Sequence, residues 1–146
     1  MKSKREQKQI SQQETTKPAP KILIAEDDVE MRTLLALFIK KAGYNVLSCS
    51  TGTDLVQYIS TLFSPFKQED IALVISDIRM PGFSGLEVLR KVHGYMGFPP
   101  IILITAFGDE TIHTEAERYG ATAIFDKPFD IDHLLAKVRE IVPLKS

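Results

Sequence analysis

Short apolar runs alternate with amphipathic stretches over most of this chain. The apolar runs are Lys21 to Ala25, Tyr44 to Ser50, Ile71 to Ser76, Ile101 to Ile104 and Ala121 to Phe125. Most are rich in branched residues, Tyr44 to Ser50 shows only partial alternation, and all are too short for a helix, so each reads as a strand. The stretches between them carry apolar residues three and four apart. Met31, Leu34, Leu35, Phe38 and Ile39 predict a helix over Val29 to Lys41, ended by Gly43. Leu55, Val56, Ile59 and Leu62 predict one over Gly52 to Phe63, and Leu86, Val88, Leu89 and Val92 one over Ser84 to Tyr95. A fourth, Asp109 to Tyr119, has a thin apolar face and reads as marginal. Leu134, Leu135, Val138 and Ile141 mark a fifth over Ile131 to Ile141, closed by Pro143. Residues 64–70 read as an exposed loop, and Pro99-Pro100 stops whatever precedes it. Strand then helix, five times over, predicts an α/β fold with a parallel, doubly wound sheet and right-handed crossovers.

Composition narrows this picture without redirecting it. At 146 residues the chain has room for one domain with a real core. Residues 1–19 are almost devoid of apolar side chains and read as a disordered tail, leaving 20–146 as the domain. Lys2, Lys4, Arg5 and Lys8 give that tail a small basic cluster. The net charge of -1 provides no electrostatic footprint for nucleic acid. Cys49 is the single cysteine, so it has no disulfide partner, and it reads as a small core or half-buried residue in a reducing cytoplasm. No apolar stretch approaches the roughly 20 residues of a membrane span, and the basic N-terminus lacks the apolar segment of a signal peptide.

The candidate chemistry lies where the strands stop. The run Leu73-Val74-Ile75-Ser76 ends in Asp77, followed by Ile78, Arg79 and a Met80-Pro81-Gly82 turn. The first strand runs straight into Glu26, Asp27 and Asp28. Such acids either collect a hard divalent cation or sit at the positive end of the next helix, with Asp28 nearest that role. Thr105 stands at the end of the fourth strand, and Lys127-Pro128 follows the fifth. Each group alone has a plain reading: a turn or cap Asp, a β-branched strand residue, a surface Lys. In a sheet of order 2-1-3-4-5, however, strands 1, 3, 4 and 5 are neighbours and bring all of them to one rim. No G-x-G-x-x-G or phosphate loop follows the first strand, so nucleotide binding is not supported. His93, His113 and His133 lie on separate helices without ligand spacing and read as exposed.

The stretches ILIAEDD, DIRMPGFSGLEVL, ILITA and DKPF, in this order and at these spacings, resemble the receiver domain of two-component response regulators. DIRMPGFSG is especially similar to receivers of the nitrogen-regulatory, enhancer-binding class. The likeness runs from about Lys21 to Val142. It implies a flavodoxin-like (βα)5 fold that takes a phosphoryl group from a sensor histidine kinase or phosphotransfer protein. It implies Asp77 as phosphoacceptor, and Mg²⁺ held by Asp27, Asp77 and the backbone carbonyl of Arg79, with Glu26 acting through a metal-bound water. Lys127 would pair with Asp77 and then with phosphate, and Thr105 would swing its hydroxyl to the phosphate. The Lys127-Pro128 bond would be cis. Arg79 and Phe107 occupy positions that tune dephosphorylation in the family. Output would run through a downstream protein partner, with homodimerisation through helix 4, strand 5 and helix 5 open, and the chain is either a stand-alone regulator or the receiver piece of a longer one. Its pattern departs from the family at Ile124, three residues before the Lys, where Tyr or Phe is usual; Phe125 comes one later and would face the other side. Two other classes remain: an interaction module with this fold but no phosphorylation, and a Mg²⁺-dependent phosphatase working through an aspartyl phosphate. The second normally has an acid two residues past the nucleophile, where this chain has Arg79.

Overall fold

The computed structural model describes residues 18–62, 70–106 and 108–144. The elements in order are β1 (Lys21–Ala25), α1 (Val29–Lys41), β2 (Asn45–Cys49), α2 (Gly52–Leu62), β3 (Ile71–Asp77), α3 (Gly85–Val92), β4 (Ile101–Thr105), α4 (Glu110–Arg118), β5 (Ala123–Asp126) and α5 (Ile131–Ile141). The strands form one sheet of order β2-β1-β3-β4-β5, every pairing parallel. The tail over residues 1–17, the stretch 63–69 and Phe107 lie outside the described residues. None of the described helices is long and apolar enough to cross a membrane.

Strand alternation splits the core between the two faces of the sheet. Ile22 and Ile24 of β1 pack with Ile75, Ile102 and Ile104 beneath Leu35 and Ile39 of α1 and Leu134 and Val138 of α5. Leu23 and Ala25 point the other way, joining Val74 and Leu103 beneath Leu55 of α2, Val88 and Leu89 of α3 and Ala116 of α4. Both faces are therefore covered, which is why the central strands are apolar at every position rather than every second one. Burying each such Leu or Ile contributes about 1.5–3 kcal/mol. α4 is the exception among the helices, with Ala116 its only fully buried residue, as its thin apolar face predicts.

Several boundaries differ from the sequence reading for local reasons. α3 stops at Val92 instead of continuing to Tyr95, because His93 leaves the helical region (ψ 124) and Gly94 has φ +86. Its start is fixed by a reciprocal capping box between Ser84 and Glu87. β5 begins at Ala123 rather than Ala121, since the Ala121 amide donates to the Ala116 carbonyl at 2.9 Å and so finishes α4. β2 is one residue shorter at each end than Tyr44 to Ser50. β3 and β4 run one residue further than read, so that Asp77 and Thr105 are the last residues of their strands. Both are held by the ladder itself rather than by a loop.

Gly85 illustrates how closely the helices seat on the strand ends. A Cβ there would lie 2.4 Å from the Asp77 carbonyl oxygen and 2.9 Å from Ser76 Oγ. A Gly85→Ala variant is expected to lose about 1–3 kcal/mol of stability through overpacking, read as a lower urea midpoint at unchanged slope. Wild-type stability in this variant would show that the close approach carries no constraint.

Candidate functional site

The site is assembled at the carboxyl ends of β1, β3 and β4 and just after β5. As β1 ends, the Glu26 amide donates to the Cys49 carbonyl at 3.0 Å, extending the β1–β2 ladder by one residue. The chain then turns sharply. The Asp28 amide donates to Glu26 Oε2 at 3.2 Å, and Asp28 caps α1 by accepting from the Met31 amide at 3.1 Å. Arg32, one turn into α1, donates to the Glu26 carbonyl at 2.8 Å and reaches the Asp27 carbonyl at 3.5 Å. These ties leave the Asp27 side chain exposed on the rim while Glu26 is only 1% exposed.

Asp77 is 5% exposed and fully engaged. Its Oδ1 accepts from the Arg79 amide at 3.1 Å and its Oδ2 from Lys127 Nζ at 2.6 Å. The same ammonium donates to Glu26 Oε1 at 2.6 Å. The Lys127 amide donates to the Thr105 carbonyl at 2.7 Å, which ties it to the end of β4, and its bond to Pro128 is cis. Thr105 is 1% exposed at the end of β4, beside β3. Carboxylate oxygens of Glu26, Asp27 and Asp77 lie within 4.8 Å of one another, the only such cluster among the described residues. Residues about 100 apart in the chain thus meet within one site, as the strand order requires. Arg79 is exposed, and it enters the site through its backbone amide.

Charge dominates the energetics here. Burial, and then the hydrogen bond and charge of Asp77, push the Glu26 carboxyl up to about 7, against the opposing pull of Lys127. Burial works to lower the Lys127 ammonium, but its bonds to Asp77 and Glu26 outweigh this and hold it above the ordinary lysine range. One cation therefore balances two buried carboxylates, with a third at the rim. Three hard oxygen donors with a shortfall of positive charge are the donor set that suits Mg²⁺ and not a soft metal.

Two residues of this neighbourhood escaped the sequence reading. Arg32 has no motif of its own; a cation five and six residues beyond a pair of rim acids is the signal that could have found it. His113 was expected to be exposed, but it is half-buried, with Nε2 3.0 Å from both Asp126 carboxylate oxygens. Cys49 is buried, as read, and its thiol is pushed up to about 11 by burial.

A doubly wound parallel sheet thus carries an acid triad, a threonine and a lysine on one rim. The chain belongs to the response regulator receiver domain family, whose model matches residues 22–139. It is 32% identical over 126 residues to sporulation initiation phosphotransferase F of Bacillus subtilis, covering 86% of this chain and 96% of that one. It is 33% identical over 121 residues to the C4-dicarboxylate transport transcriptional regulatory protein DctD of Rhizobium meliloti, spanning 83% of this chain but 25% of that longer regulator. Among solved structures it is similar to a CheY-like receiver domain protein of Methanospirillum hungatei (TM-score 0.71, 26% identity, 84% of this chain and 92% of that one). It is also similar to response regulator TrrA of Thermotoga maritima in complex with Mg(2+)-BeF (TM-score 0.68, 28% identity, 84% and 99%). The chain is thus a response regulator receiver domain of two-component systems.

The bridging ammonium yields a stability prediction. A Lys127→Met variant leaves Glu26 and Asp77 facing each other uncompensated and is expected to lose about 2 kcal/mol or more near pH 8. Because the folded Glu26 carboxyl titrates well above its ordinary range, its contribution to stability is full below the unfolded value and lost as pH rises through about 7. The deficit of the variant should therefore shrink toward about pH 5. Urea unfolding at the two pH values checks this; an equal deficit at both would show that carboxylate repulsion is not its source.

Proposed function

We propose that Asp77 is the phosphoacceptor of this receiver and that Mg²⁺ binds on Asp27, Asp77 and the Arg79 carbonyl, with Glu26 in support. The observation that carries this reading is Lys127 Nζ at 2.6 Å from both Asp77 and Glu26, with the Asp27 carboxylate beside them on the rim. Asp77 is thereby an oriented carboxylate whose charge is held available by a cation that can transfer its bond to an incoming phosphate. An Asp77 oxygen forms the new bond to phosphorus while the bond from phosphorus to the donor imidazole breaks, and the imidazole leaves to take up a proton. Bound Mg²⁺ supplies the positive charge that lets an anionic group approach an anionic nucleophile. Lys127 then pairs with a phosphoryl oxygen, and the Thr105 hydroxyl turns toward the new group.

The donor on this reading is a sensor histidine kinase or a phosphotransfer protein, consistent with the phosphotransferase relative. The readout is a changed surface over α4 and β5 that a downstream protein recognises. An aspartyl-phosphate phosphatase is not favoured, since Arg79 contributes a backbone amide where that chemistry needs an acid.

Intact mass after incubation with acetyl phosphate tests the reading. Wild type should gain one phosphoryl group with Mg²⁺ and none without it, and Asp77→Asn should gain none. An adduct of equal yield in Asp77→Asn would refute it. The raised Glu26 carboxyl gives a second expectation: a proton competes with the cation, so apparent Mg²⁺ affinity should weaken by up to about tenfold per unit below about pH 7. Calorimetric titration of wild type and Glu26→Gln checks this, the variant being expected to lose the pH dependence; a slope that survives in Glu26→Gln would assign it to another group.

A further inference from the structure

Ile124 stands where an aromatic side chain would link the threonine to the surface, and it is a half-buried aliphatic residue packed against the core cluster that contains Ala116 of α4. A different pair stands next to Thr105. The β4–β5 register sets Thr105 opposite Asp126, so their side chains share one face of the sheet. His113 reaches down from α4 and places Nε2 3.0 Å from both Asp126 oxygens. A carboxylate only accepts, so Nε2 carries the proton. Gly108, on the loop from β4 to α4, lies against all three residues. A Cβ there would be 1.9 Å from Asp126 Oδ1, 2.7 Å from the Thr105 methyl and 3.0 Å from His113 Nε2. Only a glycine leaves room for this contact, and it is the methyl of Thr105 that meets it.

We propose that the His113–Asp126 pair, closed over Gly108, is the link through which Thr105 moves α4 in this chain. The inference rests on the phosphoacceptor reading of Asp77. When the Thr105 hydroxyl turns toward a phosphoryl group, its methyl leaves its place against Gly108. The glycine backbone follows, the support under Asp126 and His113 changes, and the first turns of α4 shift with His113. α4 suits this because Ala116 is its only fully buried residue, so few packing contacts oppose the shift. The pair itself is solvent-accessible, with side-chain exposures of 35% and 52%, so it adds little stability and its removal leaves the fold intact. Its worth is geometric: it joins the end of β5 to the middle of α4 across the loop that carries Gly108.

The test uses the full chain in wild-type, His113→Ala, Asp126→Ala and His113→Gln forms. The glutamine amide nitrogen can occupy the place of His113 Nε2 and donate to Asp126. Each protein is first assayed by mass for the phosphoryl adduct. Backbone amide shifts of α4 and the Thr105 methyl shift are then recorded with Mg²⁺, before and after adding beryllofluoride. In wild type both sets should move. In the two alanine variants the Thr105 methyl should still move while the α4 amides lose their response, with melting temperatures close to wild type; His113→Gln should restore the response. An α4 response in both alanine variants equal to that of wild type overturns the inference. Wild type that takes up no phosphoryl group overturns the reading beneath it, and this shows in the mass spectrum before any variant is compared.

Discussion

Everything at the rim of this sheet depends on one ammonium group balancing two buried carboxylates. Without the 2.6 Å bonds from Lys127 to Glu26 and Asp77, two acids would face each other at low solvent exposure with no cation between them, a costly arrangement. With them, the arrangement is tolerated but still short of positive charge: burial first, and then Asp77, keep the Glu26 carboxyl raised against the pull of Lys127. On the proposed reading, that residual shortfall is the property the site uses. A pocket already neutral would have little reason to take up a divalent cation, and one without Lys127 would lack the cation that the proposed transfer hands over to phosphate.

The fold supplies this balance by strand order. β1 and β3 are neighbours at the centre of the sheet, β4 lies next to β3, and Lys127 follows β5 at the edge. Asp77 and Thr105 are last residues of strands, so the hydrogen-bond ladder fixes their backbones, and apolar residues packed on both faces fix the strands. The surface that moves on the proposed reading is built differently. α4 is held by a single fully buried residue and by polar contacts at its amino end. Rigid acids on the central strands and a loosely seated helix beside them give the proposed switch a fixed receiving part and a part that few packing contacts hold in place.

Most of this was legible in the sequence because it rests on periodicity and on chemistry at strand ends. Continuous branched runs marked the strands, spacing of three and four marked the helices, and the order of acids, Thr and Lys marked the rim. The early end of α3 was not legible, because Tyr95 continues its apolar pattern while Gly94 breaks the backbone before it. The late start of β5 was not either, since Ala121 serves the end of α4 through a backbone bond that no side chain advertises. Arg32 and His113 escaped for a different reason. Each acts through a tertiary contact, on a carbonyl or on a carboxylate from another element, and a polar residue on a helix looks the same in sequence whether or not such a partner exists. The departure at Ile124 was visible, but only the structure places His113, Asp126 and Gly108 around Thr105.

Asp77, and no other acid of the rim, is the proposed nucleophile, an assignment open to chemical trapping. Its most direct test is to trap the phosphorylated protein with borohydride, which reduces an acyl phosphate to an alcohol, and to locate the reduced residue by peptide mass. Homoserine at position 77, formed only with Mg²⁺ and phosphodonor present, is the result this account predicts. Reduction at Asp27 or Asp28 with Asp77 intact would contradict it.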